Sequence, residues 1–458
     1  MRNRVEATTM SGSTDGAHRH KRNFLLLNAA ALVSTSVVTS ALGFVFWTVA
    51  ARMYAVADIG ESTTAISAMS LIGPFTVLGF GTALISKLPG MPSGRAQLVS
   101  TAVAVCASAA FFVSLACALL LPAKFIGLPG IGENAAPTVL FAVGVAAHAV
   151  GLLLDSALLS ATGGGIQLRR NAIFSVAKLI LLVVFALTLN RYGSLSIYAS
   201  WFIAGLLSIL VVGIKLVRDH GLPLGDLRPR LSTLDGLHFH AVRHHLLNLS
   251  LSVPYYMMPI VANVLLGSEK AGYLYATWSL AGFVFMLPMA LSFALFASGA
   301  KDSSSILREF RFTLQASIAA CAVANVLIFP LGGLVLRIFG PAYETNGHNL
   351  LIVLCLGGFG VIIRDHHVAV ARITGQLGRE AALMITLGAG EIVGAAIGAH
   401  RGGLFGLGLG WLAAIAVEVV VCTPLVWRAY RGRLLVGVAA PHAESSERIM
   451  GESGNLES

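Results

Sequence analysis

Twelve long apolar runs constrain this chain more than any other feature. They cover 24–51, 62–86, 97–121, 136–160, 171–190, 196–217, 246–267, 272–298, 313–336, 348–371, 380–399 and 403–427. A helix that crosses a bilayer needs roughly 20 mostly apolar residues, and each run is long enough. Only 11% of the residues are charged and 56% are hydrophobic, where a soluble domain carries about 25% charged residues. Polar side chains are too few to cover a water-facing globule of 458 residues. A soluble enzyme, a disordered chain and a fibrous chain are excluded on that ground. The expected fold is an all-α polytopic membrane protein with about 12 transmembrane helices.

The formal charge of +10 tests the span count. Cytoplasmic loops are enriched in Lys and Arg. With the N-terminus inside, the inner segments hold 23 basic residues and the outer segments 6. The outer six are Arg52, Lys124, Arg191, Lys270, Arg337 and Arg401. A wrong span count would scramble this alternation, so both termini are expected in the cytoplasm. The same bias explains the charge without a nucleic-acid partner. The first run is too long for the apolar region of a signal peptide and is read as a span.

The longest internal polar stretch divides the chain. The expected organisation is a disordered cytoplasmic tail over 1–20, a six-helix lobe over 21–217 and a cytoplasmic linker over 218–245. A second six-helix lobe over 246–430 and a disordered tail over 431–458 complete it. A weak internal repeat supports two pseudo-symmetric lobes around a central cavity. Asp155, Ala161, Gly165 and Arg169 match Asp365, Ala371, Gly375 and Arg379 at one offset of 210 residues. Ile59-Gly60 before the second span likewise matches Ala271-Gly272 before the eighth. Parallel six-span halves usually place the substrate path between them. Asp155 and Asp365 are expected near the inner mouth of that path. There they form either cross-lobe gate pairs or pairs within their own lobe.

No GxxxxGK[ST] motif, HExxH motif or Cys/His metal spacing occurs in the sequence. The chain therefore carries no P-loop ATPase, and neither a cofactor nor a metal site is expected. The five cysteines all lie in apolar runs and read as small buried hydrophobes. Redox and metal chemistry give way to transport.

Charges inside spans are costly and usually face a cavity or a partner. They are Asp155, Lys178, Arg364, Asp365, Glu391 and Glu418, with His148, His366 and His367. Lys178 is a candidate partner for Asp155. Glu418 has no obvious partner and reads as peripheral. Asp155, Asp365 and Glu391 are the candidate ion-coupling carboxylates, for a proton or sodium. Polar stripes add candidate lining residues: Asn28 and Trp47 on the first span, and Asn248, Tyr255 and Asn263 on the seventh. Thr63, Ser67 and Ser70 on the second span and Tyr273, Tyr275 and Trp278 on the eighth extend the pattern. Hydroxyl stripes in membranes also serve as packing contacts between helices.

Several segments carry a family resemblance. Leu42-Gly43-Phe44-Val45-Phe46-Trp47, Ala50-Ala51-Arg52-Met53-Tyr54 and Ile59-Gly60 resemble the opening of bacterial polysaccharide exporters. Leu154-Asp155-Ser156-Ala157-Leu158, Gln167-Leu168-Arg169-Arg170-Asn171 and Ala177-Lys178-Leu179 resemble a segment of actinobacterial lipopolysaccharide biosynthesis transporters. Asp365-His366-His367-Val368-Ala369 also looks familial. The chain thus resembles the O-antigen (Wzx-type) flippases of the multidrug/oligosaccharidyl-lipid/polysaccharide (MOP, MATE-like) superfamily.

The resemblance implies a cavity lined by spans one, two, seven and eight. It also implies flipping of an undecaprenyl-diphosphate-linked oligosaccharide across the bacterial plasma membrane. Expected partners are that lipid-linked oligosaccharide, membrane lipids and other polysaccharide-assembly proteins. On this reading Arg52, Lys178 and Arg364 face the diphosphate, and Arg169 and Arg170 capture it at the inner face. A cation-coupled multidrug antiporter of the same fold is the alternative, and it would favour an acidic, aromatic cavity. A membrane-embedded glycosyl or acyl transferase is a further one.

Overall fold

The computed structural model describes residues 39–77, 79–162, 164–220, 227–234, 240–299 and 306–434. Among these the regular structure is entirely helical. A helix over 39–53, α1, is the described part of the expected first span. Then follow α2 (Val56–Val77), α3 (Phe80–Lys87), α4 (Arg95–Leu120), α5 (Ala135–Thr162), α6 (Gly164–Thr188) and α7 (Ser194–His220). The later part has α8 (His240–Leu266), α9 (Ser268–Gly299), α10 (Ile306–Arg337), α11 (Pro341–Leu356), α12 (Gly358–Ile373) and α13 (Leu377–Tyr430). Nine described helical stretches are long and apolar enough to cross a membrane, or ten if the bent α2–α3 pair is one span. Asn28 and the expected 1–20 tail lie outside the described residues, as does 435–458 of the expected C-terminal tail.

Glycine shapes the spans where a straight helix fails. The second span is broken at Gly79, whose φ of 79° separates α2 from α3; the two axes differ by 51°. Such a φ is left-handed and favours glycine. α13 is two helices joined at Gly402 and Gly403, the latter with φ 59°. It therefore corresponds to the last two expected spans rather than one. Gly394 and Gly398 of its first half meet the backbone carbonyls of Gly410 and Gly406 in its second half. A side chain at any of these positions would push the two halves apart.

The chain divides into two compact units. One holds residues 1–55 and 68–245, the other 56–67 and 246–458. α2 contributes to both. In the first unit α4 packs on α5 and α6 on α7. Tyr198 of α7 lies buried over Phe141 of α5 and donates its hydroxyl to the Phe141 carbonyl at 3.2 Å.

In the second unit α9, α10 and α12 close around a core of Leu295, Phe310, Leu314, Cys321, Ile362 and Val370. The opening turns of α2 pack on α9 there. Gly60 meets the Ser268 carbonyl, and Gly272 meets the Val56 carbonyl. The two glycines that sequence comparison pairs as repeat equivalents thus serve one close helix crossing. Large apolar side chains such as Phe112, Leu187, Val326, Phe329 and Val420 stay exposed on the helix surfaces. This is the lipid-facing pattern of a polytopic membrane protein.

Candidate functional site: two buried charge clusters

The first cluster lies in the first unit, at the facing ends of α5 and α6. Arg170 donates from Nε to Asp155 Oδ1 at 2.9 Å and from Nη2 to Oδ2 at 2.6 Å. This two-pronged geometry matches the planar guanidinium to a carboxylate. Asn171 adds a bond from Nδ2 to Asp155 Oδ1 at 3.2 Å. The partner of Asp155 is therefore Arg170 and not Lys178, a correction to the sequence expectation. Arg170 reaches Asp155 because it sits two turns into α6, while Arg169 beside it is exposed. The pairing stays within one unit, which is the non-gating alternative.

The turn geometry of the repeat also differs between the two positions. Gly375 takes φ 75° after α12, whereas Gly165 is the second residue of α6.

Lys178 is two turns farther along α6 and is buried. Its ammonium lies 3.8 Å from the Trp201 ring centroid, 4.9 Å from Phe174 and 5.2 Å from Phe46. Among the described residues no carboxylate is within ion-pair distance of it. Aromatic faces attract cations electrostatically, so this box substitutes for a counter-ion. Trp47 packs edge-on to Phe46, which places it beside the box.

A partly open pocket adjoins both features. Its walls include His148, Asp155, Arg170, Asn171, Phe174 and Trp201. No signal in the sequence separated Phe174 or Trp201 from ordinary core aromatics. Only the packing of α1, α6 and α7 makes them a box.

The second cluster lies in the second unit and is centred on Arg364 of α12. Its Nη1 is 3.1 Å from Glu391 Oε1 and 3.6 Å from Glu418 Oε2, and its Nε is 3.5 Å from Asp365 Oδ1. One guanidinium thus faces three carboxyl groups. Glu418 is not peripheral, contrary to its sequence reading. It belongs to this cluster and is 1% exposed. Glu391 is held on its other oxygen by the Trp411 indole N–H at 2.6 Å. The hairpin at Gly402 and Gly403 brings Glu391 and Trp411 face to face across α13. Trp411 packs edge-on to Trp278, and Trp278 in turn lies against Tyr255.

A third buried pair ties α12 to both halves of α13. His367 donates from Nδ1 to the Cys422 carbonyl at 3.2 Å, and its Nε2 is 2.9 Å from Glu380 Oε1.

The remaining candidates are dispersed. Arg52 is exposed at the end of α1 and Asn263 is buried in α8. Asn248 accepts a bond from Arg372 at 2.7 Å. The hydroxyls of Ser62, Thr63 and Thr64 donate to Ile59 and Gly60 carbonyls of their own helix, and Ser252 donates to the Asn248 carbonyl. These hydroxyl groups are spent on backbone, which is the packing role.

No protein-family model matches the chain, and no curated protein matches it. Solved structures do. An inward-facing multidrug resistance MATE family transporter of the MOP superfamily superposes with a TM-score of 0.67 at 14% identity, over 89% of this chain and 99% of that one. A MOP superfamily transporter from Pyrococcus furiosus, for which a reversed binding-pocket polarity suggests a different function, gives 0.60 at 12%, over 88% and 96%. A MATE transporter of Vibrio cholerae, in a mutant form, gives 0.57 at 15%, over 90% and 98%. The chain therefore has the MATE-like fold of polytopic MOP superfamily transporters.

Proposed function

We propose that the chain is an ion-coupled secondary transporter that works by alternating access, and that it exchanges a cation for its substrate. The observation that carries this reading is the Arg364 cluster, where one cation faces Asp365, Glu391 and Glu418 inside the membrane region. Surplus buried carboxyl groups are costly unless they bind a positive charge in part of a cycle. Tyr255, Trp278 and Trp411 give the same unit an aromatic, acid-rich character, which suits an organic cation. This agrees with the multidrug antiporter alternative and with the MATE transporters that share the fold.

A second reading keeps the same coupling but carries a lipid-linked oligosaccharide diphosphate. Its support is the first unit, where Lys178 is buried among aromatic rings, with no carboxylate beside it among the described residues, and Arg170 borders a pocket. A diphosphate cannot cross about 30 Å of hydrocarbon unaided, and a buried ammonium offers it a partner.

Reconstituted vesicles distinguish the two. Gradient-driven movement of a fluorescent organic cation, lost in Glu391→Gln, supports the antiporter. Movement of a lipid-diphosphate sugar, lost in Lys178→Ala while cations stay untransported, supports the flippase. Transport of either that survives collapse of all ion gradients rejects coupling.

A further inference from the structure

We propose that Glu418 is the proton-binding group of the Arg364 cluster, its carboxyl held neutral while Glu391 and Asp365 share the charge of Arg364. Only the use of that proton rests on the ion-coupled reading above.

The three carboxyl groups of the cluster are unequally solvated. Glu391 is well satisfied as an anion, because Oε1 receives Arg364 Nη1 at 3.1 Å and Oε2 receives the Trp411 N–H at 2.6 Å. Asp365 is 3.5 Å from Arg364 Nε, and its side chain keeps 13% of its exposure. Glu418 has neither advantage. Both of its oxygens are buried without a hydrogen-bond donor, and its nearest cation, Arg364 Nη1, is 3.6 Å away. That same Nη1 is already engaged by Glu391. A carboxylate left bare in the membrane interior is costly, and a proton removes the charge.

Charged groups face Glu418 from two elements: Arg364 and Asp365 on α12 and Glu391 in the first half of α13. Among the described residues, the uncharged Trp278 and Phe285 of α9 pack on Trp411, and so does Gly357 at the α11–α12 junction. Glu391 and Glu418 crowd the same Arg364 Nη1, at 3.1 and 3.6 Å. Two carboxylates this close to one cation repel each other, and a proton on Glu418 removes the repulsion. Loss of that proton would leave three anions on one guanidinium and force the α12–α13 packing to adjust.

Infrared spectroscopy of the full-length protein in lipid vesicles tests this. The wild type is expected to show the carbonyl stretch of a protonated carboxyl at neutral pH. That band should be lost in Glu418→Gln, which mimics the neutral form and should fold, and retained in Glu380→Gln. Glu418→Asp keeps a carboxyl and should keep a displaced band. A spectrum without the band at neutral pH, or a band unaffected by Glu418→Gln, overturns the proposal. The coupling reading fails separately. If wild-type transport ignores a collapsed proton gradient while the band behaves as described, Glu418 remains a proton site and the transporter is not driven by protons.

Discussion

The Trp411 indole N–H donates to the Glu391 carboxylate at 2.6 Å, across the two halves of one helical hairpin. Both groups are buried, so the bond joins the hairpin at the point where the acid cluster meets the aromatic track. A hydrogen bond to a charged group is worth about 1.5–3 kcal/mol. Trp411→Phe keeps most of the ring and removes only the donor. We expect it to lower the unfolding midpoint in detergent by a corresponding amount. An unchanged midpoint would mean that Glu391 is satisfied without Trp411.

Asp155 and Arg170 should behave as one unit. Removing one member leaves the other largely buried with only Asn171 beside it, a loss of up to about 3–5 kcal/mol in fully buried pairs. Asp155→Ala and Arg170→Ala should each destabilise the protein, and the double variant should cost less than their sum. Exchange of the two charges, Asp155→Arg with Arg170→Asp, should recover part of the loss. Additive single effects in a double-mutant cycle would show that the bridge is energetically idle.

The aromatic box should hold Lys178 chiefly through Trp201, the nearest ring at 3.8 Å. A desolvated cation over an aromatic face gains about 2 kcal/mol. Trp201→Leu should therefore destabilise the wild type by more than the ring's apolar contacts account for. In a Lys178→Met background the same change should cost less, because no cation remains to be stabilised. Equal costs in both backgrounds would remove the cation–ring interaction.

The glycine contact inside α13 makes a prediction of a different kind. A Cβ at Gly398 would fall on the Gly406 carbonyl. Gly398→Val should separate the halves of the hairpin and sharply reduce folded yield, measured by size-exclusion profile after extraction. Gly390 has nothing within 4 Å of an added Cβ, so Gly390→Ala should be tolerated. Equal yields would show that the close approach is not needed.

Topology can be checked independently of all of these. Reporter fusions after residues 20 and 435 should both read as cytoplasmic. An outward C-terminus would break the alternation of 23 inner and 6 outer basic residues that sets the orientation.

The membrane-spanning architecture was legible in the chain itself, because the bilayer imposes a local rule. Each span must be apolar over roughly 20 residues and must satisfy its backbone within itself, so every expected span has a described helical counterpart, the first in part. The same locality marked Asp155, Lys178, Arg364, Glu391 and Glu418 as costly charges that need an explanation.

Partner choice was not local, and there the sequence misled. Arg170 rather than Lys178 takes Asp155, because α6 begins early enough to turn that guanidinium inward. Glu418 reads as solitary in sequence yet lies beside Arg364 and Glu391, because the hairpin at Gly402 and Gly403 folds α13 back on itself. Phe46, Phe174 and Trp201 are ordinary apolar residues until three helices bring them around one ammonium. The solvent decides which segments become helices, from the residues of each segment alone. Charge pairing depends on side chains far apart in the chain, so only the packed tertiary structure could decide it.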